Sequence, residues 1–365
     1  MQIQTVDDKI KCFLEKKFRY SKSYATMDAY KTAMHKFQEF LRTEYNLDIN
    51  HMLVEFEKKV LDPIEVLDRF FTFLSNYNKK GYASRTISLY VIAAKEFLNS
   101  QNLHIYNEDI KQKFRLPKKS IVYEEGLTKE VLVRLLHNSP AKLQTAILVA
   151  CASGVRIEEL VQLRISDVDF STNPATLQIR AETTKTREPR FTHMTSEATT
   201  SLKDFLRRTL GWTEGSTLDG YLFLPNEDDP VRHYKNVHCA KSSLHQMLKR
   251  VIKSVPELAK QNSNGRNAIH FHAFRSWFKT QVTDAHQSDF AEALLGHKSV
   301  KLTYYRQNNK TRLKTYLEVE PALTVSDFTK VESTMEELKG ELASVKIELE
   351  KQRQRIEIAE KYDKK

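Results

Sequence analysis

The sequence predicts a mostly α-helical protein with a small β-sheet in its second half, an α+β chain of two domains with a C-terminal coiled-coil helix. Three observations lead there. Apolar residues recur at helical spacing through the first hundred residues and again from Thr128; two short alternating segments lie between residues 176 and 194; and heptads run close to the C-terminus. A length of 365 residues gives room for two ordinary domains and an appendage.

Charge narrows the partners. A formal net charge of +11 and an isoelectric point near 9.3 favour a polyanion, because each phosphate neutralised releases condensed counterions. Cys12, Cys151 and Cys239 are widely separated and odd in number, which argues against a disulfide framework and fits a reducing compartment. There is no secretory apolar region at the start, and the longest apolar run, AILVACA, is too short to span a bilayer. The expectation is a cytoplasmic protein, nucleoid-associated if its polyanion is DNA, with no membrane partner.

Taken in order, residues 1–106 read as a small helical domain. Ala33, Met34, Phe37, Phe40 and Leu41 mark one helix, and Ile64, Leu67, Phe70, Phe71 and Leu74 a second. The third, with Ser84 as N-cap, carries Ile87, Tyr90, Val91, Ala94, Phe97 and Leu98. Lys31, Lys79, Lys80 and Arg85 on the polar faces are candidates for a phosphate backbone. A basic linker over 107–126 includes KQKFRLPKKS, where Pro117 blocks a helix and Lys118 and Lys119 add charge.

The second domain, 127–325, opens at Thr128 and is helical through Val131, Leu132, Leu135 and Leu136, then Leu143, Ala146, Ile147 and Ala150. The pattern breaks at Gly154, and GVRIEELVQLRISDVDF follows, with Arg156 and Glu159 three residues apart. TLQIR and PRFTHM read as a β-hairpin joined by a connection holding Lys185, with Arg187 as a competing cation. YLFLP reads as a strand and AKSSLHQMLKRVIKSV as a basic amphipathic helix. His233, His238 and Cys239 lack a second cluster to complete a metal site.

The densest chemistry lies from His272 to Arg306. His272 and Arg275 fall on one helical face. Asp289 and Glu292 read as a capping box for a short helix that Gly296 stops, so His297 emerges just past it. A second short helix from near Ser299 carries Tyr304 and Tyr305, and Pro321 ends the helical stretch beyond. Met335, Leu338, Leu342, Val345, Leu349, Gln352 and Ile356 form a heptad seam, predicting a coiled coil over 330–358 that pairs with a partner helix.

Arg156 with Glu159, then Lys185, the His-x-x-Arg pair 272–275, the Leu-Gly-His turn 295–297 and a downstream tyrosine occur in an order that resembles the tyrosine recombinase family, the phage-type integrases. The resemblance implies a site-specific recombinase that cuts and rejoins double-stranded DNA through a covalent 3′-phosphotyrosine, integrating or excising a mobile element. It implies a homo-oligomer, a tetramer on two DNA sites, with a helical core-binding domain that clamps the duplex. It further implies that Arg156 and Arg275 bind the phosphate with Glu159 in support, that Lys185 protonates the leaving oxygen, that His272 and His297 assist, and that neither cofactor nor metal is needed. The family usually places its nucleophile nine residues after the turn histidine, whereas Tyr304 and Tyr305 lie seven and eight after His297. Tyr305 is therefore the chosen nucleophile, Tyr304 the alternate and Tyr316 a distant third. Two other readings stand beside this one: a type IB topoisomerase-like DNA-relaxing enzyme, and a catalytically inactive DNA-binding protein of the same fold.

Overall fold

A computed structural model describes residues 5–79, 81–116, 126–262, 265–285, 287–296 and 308–326, together with Val345. The chain divides into two compact units, Met1–Val122 and Tyr123–Lys365.

The first unit is all helix. It runs α1 (Val6–Ser21), α2 (Tyr24–Tyr45), α3 (Ile49–Glu57), α4 (Pro63–Asn76), α5 (Ser84–Ser100) and α6 (Asn107–Lys113). Side-chain oxygens of Thr5, Ser23, Asp48 and Asp62 accept the orphan amides at the starts of the first four. The predicted apolar stripes meet in one core. Phe70 of α4 stands edge-on to Phe37 of α2 at 5.1 Å and tilted against Phe40 at 5.2 Å. Ser84 is the first residue of α5 rather than its cap, because the extended residue before it is Ala83. Residues 107–116, expected to open an extended linker, are folded into this unit. Ile110 of α6 is buried, and Phe114 and Leu116 pack on the same core, which draws this basic stretch inward despite its charge.

In the second unit, α7 (Lys129–His137) leads to α8 (Ala141–Ser153) and the short α9 (Ile157–Val161). A sheet follows, β1 (Val168–Asp169), β2 (Thr176–Ile179) and β3 (Arg190–His193), then α10 (Ser196–Leu210) and α11 (Pro230–Ser254). Closing it are α12 (Phe271–Asp284), α13 (Ser288–Leu295) and α14 (Asn309–Leu323). The sheet is antiparallel in the order β1-β2-β3, with Leu177 opposite Val168 on one side and Thr192 on the other. Helix α8 is apolar all round and buried from Thr145 to Ser153, the mark of a helix enclosed by its neighbours. It packs on α10 and α12 and also touches α9, α14 and β3.

Three local expectations are corrected. YLFLP is no strand: Tyr221 makes one bridge to Arg164, and Tyr221–Leu224 are all buried, plugging the core instead of lining a sheet edge. Helix α13 is not opened by an Asp289–Glu292 box; it starts after Gln287, and Glu292 pairs with Lys279 of α12 at 2.5 Å. Pro321 lies inside α14 with only Ala322 and Leu323 after it, so the helix forgoes one bond and ends at Leu323. Apart from Val345, the heptads of 330–358 lie outside the described residues.

Candidate active site

The C-terminal end of α8 is where the site is assembled. The helix stops at Gly154, whose φ of +65° is left-handed and whose missing Cβ would sit 2.5 Å from Phe278 Cδ1 and 2.7 Å from Leu295 Cδ2. The carbonyls of Ala152, Ser153 and Gly154 lie where a helix runs out of its own amide donors. A different element serves each. Tyr316 of α14 donates its hydroxyl to the Ala152 carbonyl at 2.8 Å, Thr192 of β3 donates to Ser153 at 2.9 Å, and Arg275 of α12 donates Nη1 to Gly154.

Arg156 follows as the residue that caps α9. Its amide donates to Glu159 Oε2 at 2.8 Å and its Nη1 to Oε1 at 2.9 Å. Far from an exposed helical pair, Glu159 is only 1% exposed, and Arg190 of β3 closes on its other side with Nη1 at 3.0 Å and Nη2 at 2.5 Å. Burial alone would raise the Glu159 carboxyl; the hydrogen bonds and charge of Arg190, with those of Arg156, outweigh it and hold the group below its ordinary value. The guanidiniums of Arg190 and Arg275 also hold α13: Arg190 Nε donates to the Leu294 carbonyl and Arg275 Nη2 to that of Leu295, both at 2.8 Å. Gly296 comes next with φ +66°, and the Arg190 stem lies 2.9 Å from where its Cβ would be. The glycine of the Leu-Gly-His turn is thus required by both conformation and space.

Burial, with the charge of Arg156 nearby, pushes the Arg275 guanidinium down to about 9, so it stays cationic at neutral pH. Arg156 and Arg190 clasp Glu159, and Arg275, which feels the charges of both Glu159 and Glu292, adds a third guanidinium nearby. Arg275 is 4% exposed and the Arg190 side chain 8%, whereas that of Arg156 is 30% exposed and reaches solvent.

The fold therefore brings Arg156, Glu159 and Arg275 together. His272 is exposed on the first turn of α12, one turn before Arg275, its ring 6.3 Å from that of His270. Lys185 is exposed in the β2–β3 connection, which buried Thr184 pins by accepting from the Glu188 amide at 3.1 Å; no hydrogen bond among the described residues joins Lys185 to the arginines. His297, Tyr304 and Tyr305 lie outside the described residues, as do Lys80, Lys118 and Lys119. In the first unit Lys31 and Arg85 are exposed, and Lys79 ends a short 3-10 turn. Tyr316 cannot be a nucleophile: it is 0% exposed, its proton is committed to a carbonyl, and burial drives its pKa well above the ordinary value. His233 is engaged with Gln162 at 3.2 Å and tilted against the Tyr221 ring.

Sequence reasoning missed Arg190 and Thr192. The signal was the alternation of β3 itself, where the register puts Arg190 opposite Ile179 and Thr192 opposite Leu177, on the inward face of the strand.

Comparison with known proteins follows the same lines. The model of the phage integrase family matches residues 125–312. Tyrosine recombinase XerC of Bacillus pumilus is 26% identical over 261 residues, covering 68% of this chain and 79% of that protein. Tyrosine recombinase XerA of Pyrococcus furiosus is 29% identical over 139 residues, 37% of this chain and 46% of that protein. A lambda integrase dimer bound to a COC′ core site shares the fold, with a TM-score of 0.56 and 16% identity over 84% of this chain and 100% of the other. A lambda integrase tetramer bound to a Holliday junction gives 0.54 and 15% over 84% and 81%. No helix among the described residues is long and apolar enough to cross a membrane. With more than half its length matched by the family model, the chain belongs to the phage integrase family of tyrosine-type site-specific recombinases.

Proposed function

We propose that this recombinase binds double-stranded DNA, breaks a strand by tyrosine attack and rejoins it to a new partner, integrating or excising a mobile element. The observation that carries the reading is the cationic platform at the end of α8: guanidiniums fixed on protein acceptors before substrate arrives, with Arg156 open to solvent.

Attack on a phosphodiester builds negative charge on the nonbridging oxygens. Arg156, steered by Glu159, and Arg275 meet that charge as planar forks that are protonated at neutral pH. A tyrosine of ordinary pKa about 10 is a poor nucleophile at neutral pH, and the surrounding positive charge favours its phenolate. In this reading Tyr305 attacks, with Tyr304 the alternate; a 3′-phosphotyrosine bond forms as the bond to the 5′ oxygen breaks. Lys185 gives that oxygen a proton. His272 and His297 donate to the phosphate or relay protons near neutral pH. The covalent bond keeps the energy needed for rejoining.

Strand exchange calls for two DNA sites and hence a tetramer of this chain, with 330–358 pairing as a coiled coil. Lys31, Lys79, Lys80, Arg85, Lys118 and Lys119 are assigned to the DNA backbone, which fixes position without reading sequence. A lambda integrase tetramer on a Holliday junction shares the fold and supports this assembly.

The test is a duplex bearing a candidate site with a nick just downstream of the scissile phosphate, so that the short fragment leaves and the adduct accumulates. A denaturation-resistant protein–DNA adduct is expected, lost in Tyr305→Phe and retained in Tyr304→Phe. Loss in Tyr304→Phe alone reassigns the nucleophile. Absence of adduct on every duplex that the protein binds would sink the reading.

A further inference from the structure

The platform at the end of α8 includes one group that the chemistry above does not use. Tyr316 is fully enclosed, yet its hydroxyl is aimed at one carbonyl, Ala152, at 2.8 Å. A phenylalanine would fill the same space; only the hydroxyl is directional. Its ring stands edge-on to His193 at 5.2 Å, and the neighbour of His193 is Thr192, which holds Ser153. Two residues beyond Ala152 the Gly154 carbonyl takes Arg275, and two further on comes Arg156 itself.

The other end of this contact matters as much. Helix α14 is capped by Asn308, whose Oδ1 accepts from the Thr311 amide at 2.8 Å, and Asn308 is three residues after Tyr305. Among the described residues between the tyrosine pair and Tyr316, Thr315 alone is buried, and Tyr316 is the first fully enclosed side chain. A register slip of one residue in α14 turns its faces by about 100° and breaks the bond to Ala152.

We propose that Tyr316 is a positioning residue for the nucleophile. Its hydroxyl locks the register of α14, the helix that opens three to four residues after Tyr305 in the sequence, to the same helix end that carries the arginines. The inference rests on the proposed function, and it assigns to Tyr316 no contact with DNA.

The experiment compares full-length wild type, Tyr316→Phe, Lys185→Ala and Thr145→Val, at a temperature where circular dichroism shows all four folded. Thr145 is buried in α8 and bonded to the Ser201 hydroxyl at 2.9 Å, so its valine variant controls for the loss of one buried hydrogen bond. Two nicked duplexes are used, one with an ordinary phosphodiester and one with a 5′-bridging sulfur, which leaves without needing a proton. With Tyr316→Phe, adduct formation at saturating DNA is expected to slow roughly 10- to 100-fold, the loss associated with a small misplacement of reacting groups. DNA affinity should stay within about twofold, since Tyr316 makes no phosphate contact. The bridging sulfur should restore Lys185→Ala and leave Tyr316→Phe slow, while Thr145→Val reacts as wild type on both. Wild-type rates for Tyr316→Phe, or its rescue by sulfur, overturn the inference and leave the recombinase reading intact. Absence of adduct from wild type itself overturns that reading and the inference with it.

Discussion

Replacing Glu159 by glutamine keeps the side chain's size and removes its charge, which makes it the sharpest probe of the platform. The carboxylate receives bonds from the Arg156 amide, Arg156 Nη1 and both terminal nitrogens of Arg190. Arg156 is partly solvated, so its share is screened; the larger loss comes from Arg190, whose side chain is 8% exposed and which keeps a cation with no anion. Removing one partner of a buried pair costs about 3–5 kcal/mol, and a glutamine that still offers one carbonyl should fall near the lower end, about 3 kcal/mol. Both tryptophans, Trp212 and Trp277, lie in the second unit, so tryptophan fluorescence in urea reads this unit directly. The midpoint should fall by roughly 1–2 M. The pH dependence supplies a second check. Glu159 titrates below its ordinary 4.5 when folded, so its stabilisation is complete above about 4.5 and disappears as pH falls through the depressed folded value. The gap between wild type and Glu159→Gln should be constant from pH 7 to 5 and close in stronger acid. A midpoint within about 0.3 M of wild type at pH 7, or a gap that persists in acid, refutes the electrostatic account.

Three further outcomes follow from the same geometry. The buried imidazole of His193 is pushed down to about 4 by burial and by the charge of Arg312. The unfolded chain thus takes up a proton below about 6.5 that the folded chain refuses: stability is full above that pH and drains as pH falls toward 4, by up to about 1.4 kcal/mol per unit, and His193→Gln should lose this slope in urea titrations at pH 7, 6 and 5. Gly154→Ala places a Cβ against Phe278 and Leu295 in a left-handed conformation and should cost about 2–5 kcal/mol by urea denaturation, the sum of a backbone penalty and overpacking. Lys185→Ala, at an exposed position, should leave the unfolding midpoint unchanged and, on the proposed function, slow adduct formation about 10²- to 10⁴-fold on an ordinary phosphodiester.

Much of the fold could be read from periodicity because α2, α4 and α5 each bury one clean stripe, whereas α1, α3 and α6 went unread, and because Thr128 and Gly154 punctuate the second unit where caps are needed. Errors arose where burial overrode local pattern. Tyr221–Leu224 has the composition of a strand but fills the core, and Ile110 and Phe114 anchor a stretch whose lysines suggested extension. At the site, the motif order exposed Arg156, Glu159 and Arg275. It did not expose Arg190, since partnership with Glu159 joins residues 31 positions apart through sheet register, which no spacing rule reports. Tyr316 was legible only as a tyrosine; that its hydroxyl is spent on Ala152 depends on a contact across 164 residues.

The buried ions carry a lesson for comparing relatives. A descendant that had given up cutting DNA would still need Glu159 to neutralise Arg190 and Arg275 to hold the ends of α8 and α13, because losing either leaves a charge or carbonyls stranded in the interior. Selection for folding alone preserves them. Lys185 and His272 are exposed, and the Arg156 guanidinium reaches solvent, so folding places a weaker demand on those side chains. On the proposed function, whether a relative has kept its activity should therefore be judged by these exposed side chains, and not by the more conspicuous buried cluster.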